Sequence, residues 1–372
     1  MMPQIRERIR GSVLGQAFGD ALGAPFEFAP PDAVNWIEEL CAFTGTTSPH
    51  GLWVSPAPKG TGTDDVRYNR LFIDLVVELG GRMPDDAELA ARLLDVHENP
   101  GKYFPGFEEF ARGQFGMWEG VCRGCLGQNS AAHPGVPPKI LATRSVGLNY
   151  PTIAGLLIMP SAGLLYPDDP EKAYQAAYEA AFFDVAYARE ATALFAAAQS
   201  LALAGVAPAD VVRSVLTMDP LHLGGYFGGP FVTENLPTLL DRAHGLRGPE
   251  LSTWLSSELR QFSVFDPYRA LAIVFAALLA HSEEPMMVLQ VAANHMDMDA
   301  AGAVRRYADI DCYAGFAGAL VGTLFGDQVL RPEARAQVLE SNRTVYGIDL
   351  EQVASRLVDV VAPDGGEHET DQ

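Results

Sequence analysis

Two acidic clusters in this sequence have the composition of a metal site. Thr63-Asp64-Asp65 stands at the start of one predicted helix, and Asp309-Ile310-Asp311-Cys312 at the start of another. Hard divalent cations take oxygen ligands, and magnesium prefers one or two carboxylates with waters. A site for two such ions, about 3.5–4 Å apart, needs several carboxylates on stiff supports. If the clusters converge, four carboxylates repel one another unless a cation lies between them. Each cluster also reads as an ordinary helix start, because Thr is a good N-cap and acids in the first turn complement the helix dipole. The combination, not either motif alone, points to metal chemistry.

The elements that must bring the clusters together carry their own signal. Arg6 to Gly23 reads as a helix with Gly11, Gly15, Gly19 and Gly23 at every fourth position, near one face. A helical glycine costs about 1 kcal/mol against alanine, so four in one stripe imply that another backbone approaches closely. Ala314–Asp327 repeats the pattern with Gly318, Gly322 and Gly326. The two helices are expected to pack on each other with little side chain between them.

The rest of the chain reads as helical. Residues 28–62 are loop, and Thr63 opens a helix to about Leu79. Further helices are expected at 84–97, 152–165, 170–204, 208–217, 234–243, 250–261, 267–281, 284–294, 332–341 and 349–361. Residues 98–150 mix short helices with a Pro/Gly-rich loop. Alternating β-branched segments are nearly absent. The expected fold is all-α, one orthogonal helical bundle over residues 1–362, with a disordered polar tail at 363–372.

Composition excludes several functions. The net charge is −21, and phosphate backbones are bound by basic patches, so nucleic acid is not the expected partner. No apolar run reaches the about 20 residues a bilayer needs, and the N-terminus lacks an apolar signal core. A soluble, cytoplasmic protein without membrane contact is expected. Cys41, Cys122, Cys125 and Cys312 are too few for a disulfide framework, and Cys122-Arg-Gly-Cys125 has no second pair to complete a zinc site.

Three segments also carry a family resemblance. Gly15-Gln-Ala-Phe-Gly-Asp-Ala-Leu-Gly-Ala-Pro-Phe-Glu27 looks like the opening helix of ADP-ribosylglycohydrolases. Gly62-Thr-Asp-Asp65 resembles their Thr-Asp-Asp metal motif, and Asp309-Ile-Asp-Cys-Tyr-Ala-Gly-Phe-Ala-Gly-Ala-Leu320 their Asp-Thr-Asp-Thr/Cys helix. The three follow in the family's order and separation. The resemblance implies the all-α fold of that family and two magnesium ions, with manganese in some members. It implies Thr63, Asp64, Asp65, Asp309 and Asp311 as ligands, and Glu27 as a glutamate that gates or supports the site. The implied reaction is hydrolysis of the bond from ribose C1 to an acceptor, with Asp64 or Asp65 helping to activate water. Substrates would be an ADP-ribosylated protein or a small ribosylated metabolite; a non-catalytic relative is the third reading.

Some positions depart from the family. Cys312 replaces a hydroxyl ligand found in many members; magnesium disfavours sulfur, so Cys312 is expected outside its ligand set. Val66 stands where threonine is usual. Leu156-Leu157 occupies the place of a Met-Arg pair, and a Thr-His pair is replaced near Asp184-Val185. Asp297 and Asp299 form a shifted copy of the acidic motif, with Asp309 and Asp311 preferred as ligands. Arg305 and Arg306 read as a solvated pair or as partners for an anionic substrate group, and His295 as a structural histidine. Arg67 is placed to pair with Asp64 one turn away. Tyr226-Phe-Gly-Gly229 reads as loop packing or as a cover for a flat ring.

Overall fold

The computed structural model describes residues 4–44, 54–143, 150–224 and 229–363. Eighteen α-helices occur among the described residues. The named strands are Met296–Met298 and Val304–Tyr307, an antiparallel hairpin. No helix among the described residues is long and apolar enough to cross a membrane. The expected tail lies outside the described residues beyond position 363, as do Tyr226, Phe227 and Gly228.

The centre of the bundle is the expected glycine pair. Helix Ile5–Gly23 runs antiparallel to helix Ile310–Phe325. A Cβ on Gly11 would lie 2.2 Å from the Gly322 carbonyl oxygen, and one on Gly15 2.2 Å from that of Gly318. A Cβ on Gly19 would stand 1.9 Å from the Ala314 oxygen, and one on Gly23 2.5 Å from the Asp311 nitrogen. Only hydrogen fits at these positions, so the two backbones touch along nearly their whole length. The antiparallel run has a direct consequence: the end of the first helix, leading to Glu27, meets the start of the second, at Asp309 and Asp311. Far from that end, buried Arg8 donates from Nη1 to the carbonyls of Ala202, Thr323 and Leu324 at 2.8, 3.0 and 2.7 Å. It thereby satisfies carbonyls at the ends of two helices, which lack intrahelical donors.

Two expected helices are broken. The segment 152–165 divides at Pro160 into helix Ala154–Ile158 and a 3-10 turn at Ala162–Leu165, because proline cannot continue the ladder. The segment 170–204 divides into Pro170–Ala180 and Ala188–Leu203. Alanine propensity favours continuity there, but a tertiary demand wins. Asp184, in the gap, accepts from the Gly155 N–H at 3.2 and 3.3 Å and from the Thr192 hydroxyl at 3.2 Å. It therefore supplies the cap that helix Ala154–Ile158 lacks locally.

Candidate metal centre and substrate cleft

Helix Asp64–Glu78 delivers the first acidic cluster. Thr63 is its N-cap, and its hydroxyl accepts from the Asp65 N–H at 3.3 Å. The Thr63 N–H in turn donates to both carboxylate oxygens of Asp20, at 3.1 and 2.9 Å. Asp20 lies fully buried on the first glycine helix, so it ties the start of the Asp64 helix to the central pair. Sequence reasoning did not single out Asp20. Its signal was an acid in the glycine-striped second half of that helix, one position after a close-packed glycine.

The two clusters do converge. Asp64, Asp65, Asp309, Asp311, Cys312 and Glu27 all line one cleft of about 450 Å³. Two donor groups form there: Asp65, Asp311 and Cys312, and Glu27, Asp309 and Asp311. Within each, the donor atoms lie within 4.8 Å of one another. Asp311 belongs to both, so two ions in this arrangement would share it. Thr63 is not among the residues lining the cleft; its hydroxyl is held by Asp20 and by the Asp65 backbone.

The electrostatics are those of a crowded, buried acidic cluster. Burial first, then neighbouring carboxylates, push Glu27, Asp65 and Asp311 well above the ordinary carboxylate range. Burial also raises Asp309 and Asp20 to about 7. Donor oxygens of Glu27, Asp309 and Asp311 lie within 4.8 Å of one another, which crowds three carboxylates together. Asp65 Oδ2, Asp309 Oδ2 and Glu27 Oε2 are buried oxygens without a hydrogen-bond partner. Buried polar atoms are ordinarily satisfied, and three unsatisfied carboxylate oxygens in one cleft fit a divalent cation.

The opposite wall is mostly apolar. Met117 and Trp118 follow helix Glu108–Gly116, which supplies Glu109, Phe110 and Gln114. Ile153, Leu157, Phe28 and Phe265 close the sides. Phe28 has a positive φ of 55°, unfavourable for a bulky residue, and its ring meets Phe265 edge-on at 6.0 Å. Sequence reasoning did not find this wall, which comes from segments without any motif.

Other expected residues take structural places. Asp297 pairs with Arg306 at 3.3 Å on the hairpin, and Asp299 accepts from the Ala301 and Ala303 N–H groups at 2.9 Å. Neither belongs to the two donor groups. Arg305 and Arg306 are exposed, and the Arg306 guanidinium stacks over Phe28 at 4.5 Å. His295 is fully buried, accepts from Arg269 Nε at 3.1 Å and meets the Ser256 hydroxyl at 3.3 Å. Burial, then Arg269, keep it well below the usual histidine range, as a structural histidine. Arg67 donates to the Thr63 carbonyl at 3.3 Å and packs over the Phe104, Phe107 and Tyr346 rings. Cys122 is buried and Cys125 half-buried on helix Glu119–Cys125, both free thiols.

The sequence matches the ADP-ribosylglycohydrolase family over residues 1–366. The chain belongs to that family. A solved "ADP-ribosylglycohydrolase-related protein complex" has the same fold, with a TM-score of 0.57 and 20% identity, covering 96% of this chain and 99% of that one. A comparison with curated proteins finds no match. Membership supports a hydrolase of the ADP-ribosyl type. The family is generally metal-dependent, and the acidic groups of this chain fit a metal ion.

Proposed function

We propose that this glycohydrolase cleaves the bond from ribose C1 to an acceptor, using two divalent ions held by its acidic clusters. Asp64, Asp65, Asp309 and Asp311 are the residues assigned to hold them, Thr63 serving as the cap of the helix that presents the first two, and Mg2+ is the expected ion, with Mn2+ the alternative. The observation that carries this reading is the convergence of three unsatisfied buried carboxylate oxygens in one cleft. Bound divalent ions position ribose hydroxyls and lower the pKa of a coordinated water.

The chain's own groups supply the rest. Asp64 or Asp65 is the carboxylate assigned to accept the proton of the attacking water, while Glu27, beside Asp309 and Asp311, supports the site. Carboxylates also suit the oxocarbenium-like state of glycosidic cleavage, whose positive charge they stabilise. The aromatic and aliphatic wall excludes water from the reacting bond and accepts a flat or apolar leaving group.

One observation favours a small ribosylated metabolite over a modified protein. Leu157 lines the cleft where the resemblance places an arginine, and Asp184 is committed to capping a helix. Polar contacts to a large substrate are thus replaced by apolar surface and an internal bond. Titration calorimetry with Mg2+ on the wild type, Asp64→Ala and Asp311→Ala tests the metal site. A release assay across ADP-ribosyl-arginine, ADP-ribosyl-serine, nucleosides and nucleotides tests the substrate. Release from nucleosides or nucleotides alone is expected; turnover of the protein-type conjugates alone would reverse the substrate reading, and metal binding without any turnover would leave a binding protein.

A further inference from the structure

We infer that Cys312 is a direct ligand of one of the two ions, so that the centre has one all-oxygen half and one mixed sulfur–oxygen half that prefers a thiophilic divalent ion such as Zn2+. This rests on the metal-centre reading above and assigns its two halves different chemistry. Glu27, Asp309 and Asp311 offer only oxygen, while Asp65, Asp311 and Cys312 offer two carboxylates and a sulfur, each set within 4.8 Å. The Cys312 thiol lies 3.5 Å from Asp65 Oδ1 and lines the cleft.

A cysteine alone would not make a site, but a second observation points the same way. Asp65 Oδ2 is buried and has no hydrogen-bond partner, on the carboxylate that the thiol already touches through Oδ1. Asp311 is held in position by the Cys312 N–H, which donates to its Oδ1 at 2.9 Å. The three donors therefore come preassembled at the start of one helix and the facing start of another. Oxygen-only groups suit magnesium or manganese, whereas thiolate selects zinc and similar ions. The expectation that Cys312 stays outside the ligand set assumed magnesium in both halves. On binding, the S–H bond breaks heterolytically: the electron pair goes to the ion and the proton leaves to solvent, with no change of oxidation state.

Cobalt(II) reports sulfur ligation directly. Metal-free full-length protein is titrated with Co2+ and its absorption recorded, together with Cys312→Ser and, as a control, Cys122→Ser. The wild type and the Cys122 variant should show a sulfur-to-cobalt charge-transfer band in the near-ultraviolet beside the visible cobalt bands. Cys312→Ser should keep the visible bands and lose the ultraviolet one. In calorimetry it should lose about tenfold or more in Zn2+ affinity and stay within about twofold for Mg2+. Visible cobalt bands without the ultraviolet band in the wild type would overturn the inference and leave the metal centre standing. The same ultraviolet band in Cys312→Ser would do likewise. Absence of any cobalt uptake would overturn both.

Discussion

Replacing Gly19 by alanine should destabilise the protein by about 2 kcal/mol, although the same substitution normally strengthens a helix. The added Cβ would lie 1.9 Å from the Ala314 carbonyl oxygen, 2.4 Å from its carbon and 2.8 Å from the Gly315 nitrogen. Real contacts of this kind do not fall below 3.0 Å, so the helices must part by about 1.1 Å, the difference between those distances. All three obstructing atoms are backbone, so no side chain can swing aside. A gap of that size forfeits about a quarter to a half of each dispersion contact across the seam. Overpacking costs about 1–3 kcal/mol; rigid backbone places this site at the upper end, and helix propensity returns about 1 kcal/mol. Gly113→Ala is the control. Its position is helical and has nothing within 4 Å of the new methyl, so it should gain about 0.5–1 kcal/mol. Urea unfolding of both variants measures the contrast. A Gly19→Ala variant as stable as the wild type would refute backbone-to-backbone packing of the pair.

The remaining predictions concern charge and capping. Asp311→Asn, in chelator, should be more stable than the wild type by about 1 kcal/mol or more, since it removes one of several crowded buried carboxylates; it should also lose the rise in Tm that Mg2+ gives the wild type. Equal Mg2+ shifts in both proteins would contradict the assignment of Asp311 to both ions. Burial raises Asp184 from 3.8 to about 7, so the folded state holds a proton that the unfolded state has lost. The associated stability is full below about 4 and is lost as pH rises through about 7. Asp184→Asn should flatten that decline by a few kcal/mol, on the order of its shift, and an unchanged difference between pH 5 and pH 8 unfolding midpoints would refute this. Glu190 is fully buried and caps the start of helix Phe231–Ala243, accepting from the Val232 and Thr233 N–H groups at 3.0 and 2.9 Å. Glu190→Ala should cost about 2–4 kcal/mol by leaving buried donors unpaired, with Glu190→Gln closer to the wild type; a loss under 0.5 kcal/mol, by the usual scale of surface changes, would argue against the capping role.

The parts of the site governed by local pattern were legible in the sequence. Glycine at every fourth position can only mean a close neighbour on that face, and Thr-Asp-Asp before an amphipathic run is a helix start wherever it occurs. What was not legible depends on contacts distant in sequence. Asp184 breaks an alanine-rich segment because Gly155, far along the chain, needs its carboxylate, and nothing near 184 announces that. Asp20 reads as one more helical acid until Thr63 is seen to donate to it. The cleft wall around Gln114, Met117 and Trp118 is assembled from a segment whose letters carry no period. Cys312 is set aside in the sequence on the chemistry of one ion, and only the fold shows its sulfur within 4.8 Å of Asp65 and Asp311 oxygens.

The glycine stripes repeat like the teeth of a rack, and a rack has more than one place to mesh. Sliding the second stripe by four residues would oppose Gly11 to Gly326, Gly15 to Gly322 and Gly19 to Gly318, a match at least as smooth as the observed one. That slip is about 6 Å along the axis, enough to draw Asp309 and Asp311 out of reach of Glu27 and Asp65. The mesh that occurs is instead the one in which Arg8 reaches the carbonyls of Thr323 and Leu324. A buried cation at the far end of the rack thus acts as the detent that holds mutually repelling acids side by side.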